Sequence, residues 1–321
     1  MKRKLLGSVT LATVCFAFIA VYYVYSTDNG DRRSALTAEP SSTLPSPKVG
    51  KSARSSASMT SASSVSALPT SYADAKDFRV FFYSAIALPQ QGGVFYASEA
   101  VRTCSTMSMH TAEEFGRARS ATNSYGDNRK AVARLAALDR LKARCSGFQP
   151  DELASLNSLQ KAGLERGDPL VAASKALHAS IASKDVALAQ KAVLNVLQLN
   201  DPVLLEQMGM SMAVVSSGDQ TPSFRGQPLS NDDFRHYSMA WSLAQCQLSN
   251  FCRANDVWAD QLCALHGVCV DGDREEAVRE LYKSDPTGLA RTLDLTNQIL
   301  RSVRSGDVGA FASVNREATK K

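Results

Sequence analysis

Apolar side chains recur at helical spacing from about residue 72 onward, and this pattern predicts a succession of helices. The first predicted helix follows an i, i+3, i+4, i+7, i+8 spacing, which places five side chains on one face: Phe78, Phe81, Phe82, Ala85 and Ile86. Pro89 and the pair Gly92-Gly93 are expected to end it. A second helix is predicted from about Val94 to Met107.

An arginine-rich helix is predicted next, from about Asp127 to Cys145, with an apolar stripe of Val132, Leu135, Leu138 and Leu141. In the second helix, the inward positions are Val94, Val101 and Cys104. Because Cys104 and Cys145 lie near the ends of these two helices, a disulfide between them is the simplest pairing.

Three Asp-Pro steps predict helix starts, since Asp is a favourable N-cap and Pro at the next position lacks only an N–H that would be unpaired anyway. They are Asp168-Pro169, Asp201-Pro202 and Asp285-Pro286. Another helix is predicted between the first two steps, at about 185–197. The 33-residue interval, with the segment 166–172, resembles tetratricopeptide-like repeats, which stack helix pairs into binding surfaces. The third step, 84 residues after the second, does not keep this period.

After a Pro/Gly-containing loop at 217–230, helices are predicted at about 231–248 and 255–266, carrying Trp241 and Trp258. A closing helix starts at the Asp285 cap and ends before Gly306. No segment has the alternation of a strand. The predicted fold class is therefore all-α: an irregular, repeat-like helical-hairpin domain over residues 72–321.

The N-terminal quarter differs from this domain and predicts a membrane anchor. A basic head at residues 1–4 precedes an uncharged run from Leu5 to Tyr25, which is long enough to cross a hydrocarbon layer of about 30 Å. The run ends in tyrosines that suit the membrane interface, so an uncleaved signal-anchor helix is favoured. A cleaved signal peptide, or lipidation at Cys15, stays an alternative.

Residues 26–71 are rich in Ser, Ala, Thr and Pro, and this composition predicts a flexible tether. The basic head favours a cytoplasmic N-terminus with the rest of the chain exported, although Arg32 and Arg33 oppose this orientation. Six distal cysteines support export, because disulfides persist mainly in oxidising compartments. The expected location is the inner membrane, with a single pass and the C-terminal domain in the periplasm.

The net charge of +5 does not predict nucleic-acid binding. Residues 1–54 contain eight Lys or Arg and three Asp or Glu, so the remaining chain sums to zero. A local basic face is nevertheless present on the arginine-rich helix and could meet lipid headgroups, peptidoglycan or an acidic protein. Its residues are Arg129, Lys130, Arg134, Arg140 and Arg144, while Arg117 and Arg119 precede it. A solvated, acid-paired helix face is the alternative interpretation.

Four cysteines near the C-terminus have the spacing C-x5-C-x10-C-x5-C: Cys246, Cys252, Cys263 and Cys269. Zinc sites favour pairs two to four residues apart, so disulfides are preferred to a metal site even with His266 nearby. Three connectivities exist. If Cys246 and Cys263 lie near helix C-termini, the chain can fold back within six residues, which favours Cys246–Cys252 and Cys263–Cys269.

This cysteine region resembles the C-terminal part of uncharacterised exported helical proteins of Gram-negative bacteria. The resemblance rests on the segments 242–252 and 261–269. It implies an exported, helical protein and carries no activity.

No catalytic, cofactor-binding or metal-binding residues are predicted. The four histidines, His110, His178, His236 and His266, are dispersed and lack a recognised motif, and a haem-attachment C-x-x-C-H is absent. The acidic pairs Glu113-Glu114 and Glu275-Glu276 are interpreted as helix charges. The expected function is a protein-interaction or scaffold module that binds another cell-envelope protein. The alternative is an envelope or peptidoglycan-processing hydrolase whose acidic site is assembled only in three dimensions.

Overall fold

The computed structural model describes residues 67–109, 128–183, 185–215, 223–249, 252–254 and 256–311. The predicted basic head, membrane helix and most of the tether lie outside these residues. So do His110, the pair Glu113-Glu114, Arg117, Arg119 and the side chain of Arg129. Within the described ranges, no helix is long and apolar enough to cross a membrane.

The described part of the chain is all-α, as predicted, with fourteen α-helices, one short 3-10 helix and a single two-stranded hairpin. The helices are α1 (Leu68–Asp74), α2 (Phe78–Ala85), α3 (Gly93–Met109), α4 (Asn128–Cys145), α5 (Pro150–Leu153), α6 (Leu156–Glu165), α7 (Pro169–Ser183), α8 (Val186–Leu199), α9 (Pro202–Val215), α10 (Asn231–Ser249), α11 (Val257–His266), α12 (Arg274–Leu281), α13 (Pro286–Ser305) and α14 (Val308–Phe311). The 3-10 helix is Pro89–Gln91, and the strands are β1 (Ser223–Phe224) and β2 (Gln227–Pro228).

The folded domain begins earlier than the sequence predicts. Helix α1 starts at Leu68, whose side chain is buried, so residues 68–71 belong to the helical domain and not to the tether. Proline at the first turn of α1 explains the start, because the ring presets the helical φ angle. Four apolar positions of α2 are buried as predicted: Phe78, Phe81, Phe82 and Ala85.

All three Asp-Pro steps begin helices, namely α7, α9 and α13. Asp168 has a second role, since one carboxylate oxygen accepts from Leu170 and Val171 and the other accepts from the N–H groups of Val94 and Phe95 at the start of α3. Asp201 caps α9 and accepts from the Tyr96 hydroxyl at 2.6 Å. The first two Asp-Pro helices therefore dock on consecutive residues of α3.

Two expectations about other elements were wrong. Val132 is 60% exposed, because the buried side of α4 is formed by Ala137, Leu138 and Leu141. The loop predicted at 217–230 contains the hairpin, whose Arg225 N–H donates to Ala310. Helix α13 ends at Ser305 with Gly306 as its C-cap, as predicted, and the chain continues into α14.

The buried apolar side chains form one main cluster and two smaller ones. The main cluster joins α2, α3, α7, α8, α9, α10 and α13. A second cluster lies between α4 and α11, with Met107 of α3 at its edge. A third consists of Leu243 of α10 with Val278 and Tyr282 at α12, and Leu289 and Leu293 of α13 pack against it.

Candidate functional site

The expected cysteine pairs lie together in the structure. Three pairs are at disulfide distance: Cys104 with Cys145, Cys246 with Cys252, and Cys263 with Cys269. Their Cα atoms are 5.3, 4.9 and 4.4 Å apart. Cys246 and Cys263 lie in the last turns of α10 and α11, so each short loop fixes the exit of a helix. In the described residues, no group of three or more His, Cys, Asp or Glu side chains could hold a metal ion.

Much of the predicted basic face on α4 contacts the protein itself. Arg134 donates to the carbonyl oxygens of Ala264 and Leu265 at the end of α11. Arg140 binds the buried carboxylate of Asp260 at 2.7 Å. A cationic side chain at the C-terminal carbonyl groups of a helix interacts favourably with the helix dipole and so stabilises the helix. Anion binding by this face therefore stays a prediction that rests mainly on exposed side chains such as Lys130.

Arg144 also faces inward. Its side chain is buried, donates to the carbonyl oxygen of Ala75 at 2.9 Å and lies 3.7 Å from Asp260. Burial raises the pKa of Asp260, and the hydrogen bond and charge of Arg140 oppose that rise. Two arginines thus share one buried aspartate.

The described histidines and the acidic pair of α12 have packing or capping partners. His236 is buried between α10 and α13, with its Nδ1 atom 3.0 Å from the Tyr282 hydroxyl and 3.1 Å from that of Thr292. Burial lowers the pKa of His178 and of His266. In the pair Glu275-Glu276, both N–H groups donate to the Asp273 cap, as expected for a first turn.

The outer face of α2 carries two apolar side chains in solvent. Val80 is 68% exposed and Tyr83, three residues later on the same face, is 51% exposed. The Tyr83 hydroxyl donates to Glu152 on α5 at 2.5 Å. Arg79 donates to the same carboxylate and lies 5.3 Å from the centre of the Tyr83 ring. We call this surface of Arg79, Val80, Tyr83 and Glu152 the α2 face.

Glu152 is held in place by its own helix start. It accepts from the backbone N–H of Gln149 at 2.7 Å in a capping box, and this bond, with the Tyr83 hydroxyl, lowers the pKa of Glu152. The carboxylate is therefore ionised at neutral pH and retains both partners. The exposed Tyr83 ring thus lies beside Arg79, with its hydroxyl on Glu152.

A second candidate lies inside the protein, where α3, α9 and α10 bring acidic side chains together. Glu99 on α3 accepts from Gln207 at 2.8 Å and pairs with Arg102 at 3.0 Å. Glu206 on α9 accepts from the Ser242 hydroxyl at 3.3 Å. Burial raises the pKa of Glu206, and the negative charge of Glu99 raises it further, while Arg274 opposes the rise.

Arg274 connects this acidic region to the start of α11. It donates to the Asp256 carboxylate at 2.5 Å and to the side-chain oxygen of Gln245 at 2.6 Å. Its guanidinium also lies 5.6 Å from the centre of the Trp258 ring. Two glutamates thus lie in this region with different partners: Glu99 pairs with Arg102, and Glu206 accepts from the Ser242 hydroxyl.

Neither candidate was found from the sequence. The α2 face depends on Glu152, 69 residues from Tyr83, and the acidic region joins positions more than 100 residues apart. The one local signal was the pattern of α2, in which Val80 and Tyr83 fall on the side opposite the apolar stripe.

Comparison of the chain with protein-family models, with curated proteins and with solved structures finds no match. The likeness to exported helical proteins therefore stays an expectation based on cysteine spacing.

Proposed function

We propose that this chain is a membrane-tethered, exported helical protein that acts as a protein-interaction or scaffold module in the cell envelope. In this proposal an N-terminal anchor helix and a tether hold a domain of repeat-like helical hairpins in the periplasm. The observation that carries the interaction role is the α2 face, with an apolar and an aromatic side chain in solvent. Its partner is an envelope protein that presents an apolar helix or loop.

The fixed ring of Tyr83 suits this role. Binding normally costs entropy when side chains become ordered at an interface. The hydrogen bond to Glu152 and the stacked Arg79 order the ring in advance, which reduces that cost. Tyr and Arg are also enriched among the residues that dominate binding energy, and Arg79 supplies a hydrogen-bonding rim beside the apolar side chain of Val80.

Site-specific photo-cross-linking in intact cells tests the proposal. A photoreactive residue replaces Val80 in the full-length chain, and the matched control carries it at Leu188, an apolar side chain on α8 that is 40% exposed. We expect one reproducible envelope-protein adduct at position 80 that is absent at 188. Adding Tyr83→Ala should reduce that adduct at least tenfold, because the aromatic anchor is lost.

Equal adducts at both positions, or none at position 80, would contradict the interaction role. Tyr83→Phe provides a finer control, since it keeps the ring and removes the hydroxyl that Glu152 fixes. We expect this variant to retain part of the adduct. Circular dichroism of each variant checks that the helical domain remains folded.

A hydrolase acting on the cell envelope is the second candidate, favoured by the acidic region around Glu99 and Glu206. Pairs of carboxyl groups whose surroundings differ can divide the roles of general acid and base. Glu206, with its raised pKa, would be the acid, and Glu99 would be the base. Release of soluble fragments from peptidoglycan by the full-length chain, lost in Glu206→Gln but retained in the exposed Glu165→Gln, would support it. No release by the unaltered chain would count against it.

A further inference from the structure

The first turn of the short helix α11 lies against the main and third apolar clusters, through Val257 and Trp258 respectively. Its buried side chains Cys263 and Ala264 belong to the second apolar cluster, which joins α11 to α4 and contains only six buried residues. Isolated helices shorter than about 12–15 residues are marginal in water, and α11 has ten residues. The helical structure of α11 therefore depends on its contacts with neighbouring parts of the domain.

Polar contacts hold α11 along its length. Arg274 donates a hydrogen bond to the Asp256 cap at the start of α11, and Arg140 donates to Asp260 near its middle. Arg134 donates to a carbonyl oxygen in its last turn. Each contact uses a long side chain whose ordering costs entropy, and Arg140 is partly exposed, which weakens its ion pair. These contacts position α11 once its ends are in place.

Two cysteine pairs fix those ends. Cys246–Cys252 joins the last turn of α10 to a residue four positions before the Asp256 cap. Cys263–Cys269 joins the last turn of α11 to a residue four positions before the Asp273 cap of α12. The chain therefore enters and leaves α11 through short closed loops. Cys252 and Cys269 are half-buried, so one partner of each pair is accessible to a thiol reagent.

We propose that α11 is a redox-gated element of the fold, ordered against α4 when both flanking disulfides are closed and released when they are open. The opening step needs a dithiol reductant, such as an exported thiol oxidoreductase. One thiolate of the reductant attacks a cysteine sulfur and forms a mixed disulfide. Its second thiol then displaces the reductant as a disulfide, and the two cysteines take up two electrons and two protons.

Release of α11 has a defined structural consequence. It uncovers the apolar side of α4 at Ala137, Leu138 and Leu141, and it frees Arg134 and Arg140 from their internal partners. The reduced form would thus present a basic and apolar α4 surface that the oxidised form covers. This inference does not depend on the α2 face, so the two proposals can fail separately.

Hydrogen exchange with thiol mapping tests the gating. The full-length chain is treated with increasing dithiothreitol, the released thiols are alkylated and located by mass spectrometry, and amide exchange is followed in the same samples. Once the four flanking cysteines are labelled, we expect peptides covering Val257–His266 to exchange at least tenfold faster than in the oxidised chain. Peptides from α7, α8 and α9 should change less than twofold.

Paired substitutions supply the controls. Cys246→Ser with Cys252→Ser, and Cys263→Ser with Cys269→Ser, should each accelerate exchange in α11 without any reductant. Cys104→Ser with Cys145→Ser opens the bridge between α3 and α4 and should affect α11 less than either local pair. If a variant does not fold, the reductant series on the unaltered chain still decides the question.

Two results would overturn the proposal. The first is unchanged exchange in α11 when all four flanking thiols are labelled, which would show that its other contacts are sufficient. The second is equal acceleration in α11 and in α7–α9, which would mean that reduction unfolds the domain as a whole.

Discussion

The helices around α3 and the pair α4–α11 are joined to the domain in different ways. Around α3, the buried carboxylates of Asp168 and Asp201 accept from backbone N–H groups at 2.9–3.2 Å and from a tyrosine hydroxyl. Between α4 and α11, arginine side chains bind carbonyl oxygens and a carboxylate, and short cysteine loops hold the ends.

The difference lies in what must be ordered for each contact to form. Backbone donors at a helix start are already fixed by the helix, and its dipole favours a negative partner there. Arginine side chains lose more freedom when they bind. We therefore expect the α3 region to be the more stable of the two, and the α4–α11 pair to respond to redox conditions.

The largest expected effect is in Asp168→Ala. This change leaves four backbone N–H groups without their acceptor, at the starts of both α3 and α7, and should lower the free energy of unfolding by about 3–4 kcal/mol. Asp185→Ala removes an exposed cap that serves α8 alone and should cost about 1 kcal/mol. Urea unfolding measures both, and equal losses would refute the shared-cap account.

The next effect concerns pH and Asp201. Burial raises the pKa of Asp201 from 3.8 to about 6, so the folded state binds its proton more tightly than the unfolded state does. The contribution of Asp201 to stability is therefore fully present below pH 3.8 and is lost as the pH rises through about 6. Between pH 4 and 7.5 the unaltered chain should lose about 2–3 kcal/mol relative to Asp201→Asn.

Unfolding measured at several pH values checks this prediction, with Asp185→Asn as the matched control at an exposed cap. This control reports the effect of replacing a capping aspartate that serves α8 alone. Parallel curves for Asp201→Asn and the unaltered chain would show that Asp201 does not titrate differently in the folded state.

The smallest effect compares two residues of the predicted basic face. Arg134→Met removes the side chain that binds the last carbonyl groups of α11 and should destabilise that helix by about 1 kcal/mol. Lys130→Met removes an exposed cation 3.8 Å from Glu280 and should cost less than about 0.5 kcal/mol. Exchange rates of α11 amides distinguish them, and a larger effect of Lys130→Met would reverse their assigned roles.

The sequence predicted those features that depend on neighbouring residues. Asp-Pro steps mark helix starts because the cap and its N–H groups lie within three residues of each other, and all three predicted starts were confirmed. The pairing of Cys246 with Cys252 could also be expected, because the two cysteines are only six residues apart. Helix α2 was recognised because its four buried apolar side chains lie within eight residues.

Features that depend on tertiary packing could not be predicted in this way. The second oxygen of Asp168 binds α3 more than 70 residues away, and no local pattern distinguishes it from an ordinary cap. Val132 fits the apolar stripe of α4 but is 60% exposed, whereas Ala137, Leu138 and Leu141 are buried in the cluster shared with α11. The strands of the hairpin have two residues each, too few to show alternation.

Native-state hydrogen exchange of the oxidised full-length chain tests the difference between the two regions most directly. We expect amides of α3, α7 and α9 to exchange at the rate of global unfolding, and those of α11 to exchange at least tenfold faster through local opening. Equal protection of α11 and α3 would show that both regions open together, and that α11 is not the less stable of the two.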